Sequence, residues 1–179
     1  MQKTFLPFML MLLCQISIPF YAQQTASEEL INKGIKLYDE GKYREAINTY
    51  KIVNENDSNY VWALYELSLA YIQAEKYDSV IYCTDEGLSQ PSAYRQVLLR
   101  SKGTAYDCMG QYDRTIEIYN QAIGIFPHSY LLYYNLGLTY MRKDNYPDAV
   151  KCFQEAIKCN PFHASSHLRL GMIMARQEY

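Results

Sequence analysis

Residues 130–163 read YLLYYNLGLTYMRKDNYPDAVKCFQEAIKCNPFH, one of four segments whose shared pattern indicates the fold. Apolar side chains such as Leu136 and Tyr140 recur in its first half at helical spacing. Pro147 suits the first turn of a second helix, because the N–H group that proline lacks is not used there. Pro161 closes the segment, since proline cannot continue a helix. The segment is therefore predicted to form two antiparallel helices.

The same pattern recurs along the chain. Four strings end in tyrosines that follow one another at a nearly constant spacing: Gly41-Lys42-Tyr43, Glu75-Lys76-Tyr77, Gly110-Gln111-Tyr112 and Asp144-Asn145-Tyr146. Nine residues before each tyrosine stands a small residue: Gly34, Ser68, Gly103 and Gly137. Seven residues after it stand Tyr50, Thr84, Tyr119 and Phe153. We expect the small residues to let the two helices of each hairpin cross closely, and Gly41 and Gly110 to end first helices in the left-handed conformation. A hairpin of this size cannot bury both faces alone, so a stack of hairpins is predicted.

These residues resemble the tetratricopeptide repeat over roughly residues 27–179. The resemblance implies an all-α fold, a right-handed α-solenoid of stacked antiparallel helix hairpins. The repeats would occupy residues 27–60, 61–95, 96–129 and 130–163, and residues 164–179 would be the first helix of a fifth, incomplete repeat. The predicted helix pairs are 27–40/43–56, 61–74/77–89, 95–109/112–125 and 130–143/146–159. The second repeat has one extra residue near Pro91-Ser92, so a local irregularity is expected there.

Residues 1–22 have the layout of a signal peptide. Lys3 precedes an apolar run from Phe5 to Leu13, and polar and small residues then lead to Ala22. Cleavage is expected after Ala22, which leaves residues 23–26 as a short linker. The sequence thus predicts an exported protein that is periplasmic, outer-membrane-associated or secreted.

Two other interpretations of this N-terminal region are disfavoured. A lipid on Cys14 would need a small residue before it, and Leu13 is not small. The stretch from Leu6 to Ala22 is too short and broken for a good membrane-spanning helix, because Pro7, Gln15, Ser17 and Pro19 interrupt it. Contact with a membrane is therefore expected only through the transient signal peptide.

Composition and motifs argue against several other functions. The net charge of −2 gives no sign of the basic face that nucleic-acid binders usually carry. Cys159, His163 and His167 are spaced four apart, but Pro161 separates them and a structural zinc site needs a fourth ligand. No glycine-rich phosphate loop or paired-carboxylate site is recognisable. We therefore expect no enzymatic activity, metal or cofactor, and no nucleic-acid or small-molecule ligand.

Cysteine pairing is left open by the sequence. Cys152 and Cys159 are two turns apart on one predicted helix, about 10 Å by helical rise, which is too far for a disulfide. Cys83 and Cys108 lie on neighbouring hairpins, where a bond is compatible with the fold. Free thiols are the favoured interpretation.

In the resembled family the binding groove is the concave surface lined by the first helices. Carried over slot by slot, the resemblance places nine residues there as candidate partner-binding residues: Trp62, Tyr65, Leu69, Arg100, Asp107, Tyr134, Leu138, Met141 and Arg142. Further groove slots hold Ile31, Ile35, Tyr38, Ile72, Thr104 and Leu131. For Leu69, Ile72 and Leu138, packing against the next hairpin explains the apolar side chain as well as contact with a partner does. Trp62, Tyr65 and Tyr134 are favoured, because aromatic residues are enriched at interface hot spots.

Some members of that family bind acidic chaperone tails through a clamp of Lys, Asn and Arg. The corresponding slots here hold Ile31, Ile35, Glu66, Val97 and Ser101, so such a tail is not expected. The leading interpretation is a non-catalytic scaffold that binds a protein or peptide segment in its groove. Alternatively, the chain is the exported N-terminal input region of a longer sensor, regulator or enzyme, truncated at Tyr179. Self-association stays open, because the last predicted helix carries an uncovered apolar face.

Overall fold

A computed structural model describes residues 26–177, and within that range the chain folds into nine helices. The first helix, α1, spans residues 26–39. It is followed by α2 (Tyr43–Tyr50), α3 (Tyr60–Gln73), α4 (Tyr77–Leu88), α5 (Arg95–Cys108), α6 (Tyr112–Ile125), α7 (Tyr130–Arg142), α8 (Tyr146–Cys159) and α9 (Ala164–Gln177). The predicted signal peptide, residues 1–22, and the C-terminal Tyr179 lie outside the described residues.

The helices stack as a solenoid of hairpins. Each of α4, α6 and α8 packs against the first helix of its own hairpin and against the first helix of the next hairpin. The first helices also contact one another directly, α3 with α5 and α5 with α7, and so form an inner layer. The all-α solenoid predicted from the sequence is confirmed.

Close helix crossings explain the recurring glycines. A Cβ atom built on Gly34 would lie 2.3 Å from Cε1 of Tyr50, and one on Gly103 would lie 2.5 Å from Cε1 of Tyr119. The same approach recurs in the fourth hairpin, where a Cβ on Gly137 would lie 2.8 Å from Cε1 of Phe153. These three first helices therefore need glycine opposite the aromatic ring of the partner helix, as the sequence pattern predicted.

The turn inside each hairpin places one residue in the left-handed region. Gly41 and Gly110 have φ angles of +75° and +72°, which glycine adopts at low cost. Glu75 and Asp144 occupy the same slot with φ angles of +55° and +56°. Four hairpins therefore share one turn geometry although only two of them carry glycine at the position that favours it.

Helix α2 is shorter than predicted. The sequence predicts a second helix over residues 43–56, but α2 ends at Tyr50. Side-chain oxygens in the following Asn-rich segment bond to nearby backbone N–H groups: Asn54 Oδ1 accepts from Asn56 at 2.9 Å and Asp57 Oδ1 accepts from Asn59 at 2.8 Å. These local bonds compete with helical ones, so the chain leaves the helix early.

The irregularity expected in the second repeat is also present. Residues 89–94 connect α4 to α5, whereas the connections from α6 to α7 and from α8 to α9 are shorter, residues 126–129 and 160–163. Thr84 stands in the slot that is aromatic elsewhere, and its hydroxyl donates to the Val80 carbonyl at 2.9 Å. Leu98 of the next hairpin packs closely against the small slot of this repeat, since a Cβ on Gly87 would lie 2.8 Å from its Cδ1. The second hairpin therefore still packs against α5 although its aromatic slot holds threonine.

Candidate functional site

The candidate site is the inner face, defined as the surface of α1, α3, α5, α7 and α9 that is turned away from the second helices. Its α3 portion presents Trp62, Tyr65 and Leu69, all half-buried and therefore partly open to solvent. Because they project from consecutive turns of one helix, these side chains form a continuous strip. The structure thus brings together the α3 residues that the sequence assigned to the groove.

Two contacts organise the α3 portion of the inner face. The indole Nε1 of Trp62 donates to Oε1 of Glu66 at 3.1 Å. The ring of Tyr65 lies against Tyr94, with 5.9 Å between the ring centroids. Burial raises the pKa of the Glu66 carboxyl, the hydrogen bond from Trp62 opposes that rise, and the nearby Asp39 carboxylate adds to it. This part of the face is aromatic with a half-buried acid at its centre.

The α7 portion has a similar aromatic contact but closer ties to the core. Tyr134 packs edge-on against His163, with 4.9 Å between ring centroids, and its centroid lies 5.8 Å from that of Phe153. Leu138 and Met141 also pack against the cluster around the buried Phe153. They are partly exposed, so these residues contribute to the core and to the inner face at the same time.

Two predicted groove residues are buried. Asp107 is only 8% exposed, and its carboxylate accepts a hydrogen bond of 2.9 Å from the Thr139 hydroxyl and pairs with the Arg142 guanidinium. It therefore joins α5 to α7 and does not offer a free carboxylate to a partner. Ile31 is fully buried in the core of the first two hairpins. Arg142 is exposed but engaged with Asp107, while Arg100 is half-buried on α5.

The sequence did not reveal the role of Tyr94. It immediately precedes α5 and packs against Tyr65 of the preceding first helix. His163 immediately precedes α9 and packs in the same way against Tyr134. The recurrence was detectable, because the separation from position 65 to 94 equals that from 134 to 163. In both repeats, a ring at the end of the connecting segment packs against a tyrosine of the inner face.

A second feature, a hollow of about 630 Å³, lies beside the end of α2 and away from the inner face. It is lined by side chains from the α2 end, α3 and α4, among them Val53, Leu64, Tyr82 and Cys83. It lies where α2 has ended and the following residues, Lys51 to Glu55, pass beside α3 and α4. Burial raises the pKa of the Cys83 thiol to about 12, which disfavours the reactive thiolate form.

The remaining chemically active residues are dispersed. Cys83, Cys108, Cys152 and Cys159 are free thiols in the structure. His163 Nδ1 lies 2.7 Å from the Ser166 hydroxyl, and His167 Nε2 lies 2.8 Å from the Pro161 carbonyl, so the two imidazoles have different partners. Within residues 26–177, no group of three or more His, Cys, Asp or Glu side chains is arranged to hold a metal ion.

None of the helices found between residues 26 and 177 combines the length and hydropathy that crossing a bilayer requires.

Comparison with known proteins supports the same architecture. A family model described as tetratricopeptide repeat matches residues 130–163. Protein O-mannosyl-transferase TMTC2 of Mus musculus is 29% identical over 97 residues, which cover 51% of this chain and 12% of that protein. This chain therefore spans only a small part of that relative's length.

Solved structures are similar over most of the chain. MamA of Desulfovibrio magneticus RS-1, residues 41 to the end, has a TM-score of 0.67 at 20% identity, with 85% of each chain covered. A tetratricopeptide repeat protein of Parabacteroides merdae has a TM-score of 0.67 at 19% identity, covering 86% of this chain and 62% of that one. At these identities the likeness concerns the fold.

Proposed function

This chain belongs to the tetratricopeptide-repeat family, and we propose that it is a non-catalytic scaffold whose inner face binds a segment of a partner protein. The observation that carries the proposal is the row of half-buried aromatic side chains on that face. Trp62 and Tyr65 remain partly exposed in the folded chain, although each offers a large apolar surface. Aromatic residues placed in this way are typical anchors of protein interfaces.

The apolar surface extends along the solenoid. Leu168 is 63% exposed and Met172 is 50% exposed, both on α9. They lie one repeat after Tyr134 and Leu138 and so occupy the same slots of the repeat. Exposed apolar side chains in register with the inner face of α7 lengthen the surface that an extended or helical segment would cover.

We place this activity outside the cytoplasm. The support is the sequence of residues 1–22, with Lys3, the apolar run from Phe5 to Leu13 and the small Ala22. N-terminal sequencing of the natural protein tests this location: a chain that starts at Gln23 supports export, and one that starts at Met1 contradicts it.

The binding proposal is tested with peptides selected from a displayed library by the purified protein. Replacing Trp62 and Tyr134 together by alanine is expected to weaken a selected peptide by at least about 30-fold, because an interface anchor contributes about 2 kcal/mol or more. The matched control is Tyr82→Ala, which removes a 70% exposed tyrosine from the second helix α4. Isothermal titration measures the affinities, and circular dichroism confirms that each variant is folded.

Unchanged affinity in the Trp62 and Tyr134 double variant would exclude the inner face as the binding surface. An equal loss in Tyr82→Ala would move the site to the side of the solenoid that carries the second helices.

A further inference from the structure

The inner face contains a carboxylate without a positive partner. Glu66 is half-buried on α3, and its Oε1 accepts the 3.1 Å hydrogen bond from the Trp62 indole. None of the ion pairs formed among residues 26–177 includes Glu66. Because the indole donor is neutral, the ionised carboxylate keeps a full negative charge that no cation in this part of the chain balances.

Aromatic side chains lie near this carboxylate. Tyr65, one residue before Glu66 on α3, packs against Tyr94, which immediately precedes α5, with ring centroids 5.9 Å apart. Burial raises the pKa of the Tyr94 phenol and of the Tyr38 phenol on α1, and the nearby Glu66 carboxylate raises both further. The face of an aromatic ring attracts cations through its quadrupole. The aromatic rings and the carboxylate therefore both favour a positively charged group.

The free protein holds this carboxylate at a cost. Burial raises the pKa of Glu66, and the negative charge of Asp39 raises it further. A charge partly removed from water is unfavourable unless it is paired. A positive group that enters from the open side of the face would remove the imbalance, whereas a second anion would increase it.

We propose that Glu66 and the ring faces of Trp62, Tyr65 and Tyr94 form a cation site that takes a lysine or arginine side chain of the bound partner segment. This inference rests on the proposed function, because the partner segment must lie along the inner face to deliver that side chain. It adds a chemical requirement that the aromatic anchors alone do not impose: a basic residue at the position facing α3.

Trp62 offers a direct test, because it is the only tryptophan in the sequence. The fluorescence of the purified protein is followed during titration with Nα-acetyl-lysinamide or with its uncharged analogue Nα-acetyl-norleucinamide. The lysine probe is expected to give a saturable change at concentrations on the order of millimolar, as suits a ligand of this size. The norleucine probe is expected to give none.

Glu66→Gln keeps the size of the side chain and an oxygen for the Trp62 indole but removes the charge. We expect this variant to lower the affinity for the lysine probe by at least about tenfold, because a hydrogen bond to a charged group stabilises a complex more than a neutral one by about that factor. Glu117→Gln, on an exposed carboxylate of the second helix α6, is the matched control and is expected to leave the titration unchanged.

Equal responses to the two probes, no saturable response to the lysine probe, or an unchanged response in Glu66→Gln would each overturn the cation site. These outcomes are distinct from failure of the proposed function, which is read from selected peptides. Peptides that need Trp62 but bind equally well with lysine or norleucine would leave the scaffold standing and remove only the cation site.

Discussion

Gly103 shows at the level of one residue what the repeat requires. A Cβ atom there would lie 2.5 Å from the ring of Tyr119, which is buried and whose hydroxyl lies 3.2 Å from that of Thr104. We predict that Gly103→Ala lowers the free energy of unfolding by about 1–3 kcal/mol, since overpacking of a tight core costs that much. Thermal or urea unfolding followed by circular dichroism measures the change.

Gly124→Ala is the matched control on the partner helix α6. Apart from its chain neighbours and its own helix backbone, no atom lies within 4 Å of a Cβ built at Gly124, so alanine is expected to stabilise the helix by up to about 1 kcal/mol. The explanation requires that Gly103→Ala lowers the free energy of unfolding and that Gly124→Ala raises it. A loss of similar size in both would show that helix propensity and crowding at the crossing are not the determinants.

Among the candidate site residues, partial exposure could be predicted where a slot leads straight to the surface. Trp62 and Tyr65 could be placed because the repeat fixes which side of α3 they occupy. Asp107 could not be placed, because its environment depends on Thr139 and Arg142 one repeat later. Ile31 occupies a groove slot too, but the first hairpin buries it.

At the level of the element, the turn between α3 and α4 holds a non-glycine residue in the left-handed conformation, a strain that glycine would relieve. Glu75 has a φ angle of +55°, in a slot where Gly41 and Gly110 adopt similar angles. The left-handed conformation costs an L-residue about 1–2 kcal/mol, and glycine loses part of this gain to the greater freedom of its unfolded chain. We predict that Glu75→Gly raises the free energy of unfolding by about 0.5–1 kcal/mol, measured by urea unfolding.

The reciprocal change checks the same explanation. Gly110→Ala, at a φ angle of +72°, is expected to lower stability by about 1 kcal/mol even though no atom crowds its Cβ. In a domain of this size about 1 kcal/mol corresponds to a shift of roughly 2–4 °C in Tm. If Glu75→Gly were destabilising, the shared turn geometry would not be the cause of the glycine preference.

Helix ends were predictable where a turn residue marks them and not elsewhere. The starts of α4, α6 and α8 agree with the predicted positions, because the string before each tyrosine repeats. The end of α2 was missed because nothing in the repeat pattern marks it. It depends on which Asn and Asp side chains capture backbone N–H groups between residues 54 and 59.

For the whole molecule, the sequence predicted the stack of hairpins, because a fixed period and matching slots leave few other arrangements. The polar joints between repeats were not predictable. Ser27 donates to Asp57 at 2.9 Å, Gln96 donates to Ser129 at 2.6 Å, and Thr139 donates to Asp107. These contacts link residues about one repeat apart and differ in chemistry from one joint to the next, so no slot pattern reveals them.

Photo-cross-linking is the decisive test of whether the inner face binds a protein segment. A selected peptide that carries a photoreactive benzophenone is irradiated with the purified protein, and mass spectrometry of the digested product identifies the labelled residues. We predict adducts on the inner face of α3, α5 and α7, centred near Trp62, Tyr65 and Tyr134. Adducts confined to the second helices, such as those near Tyr82 beside the hollow at the end of α2, would contradict binding at the inner face.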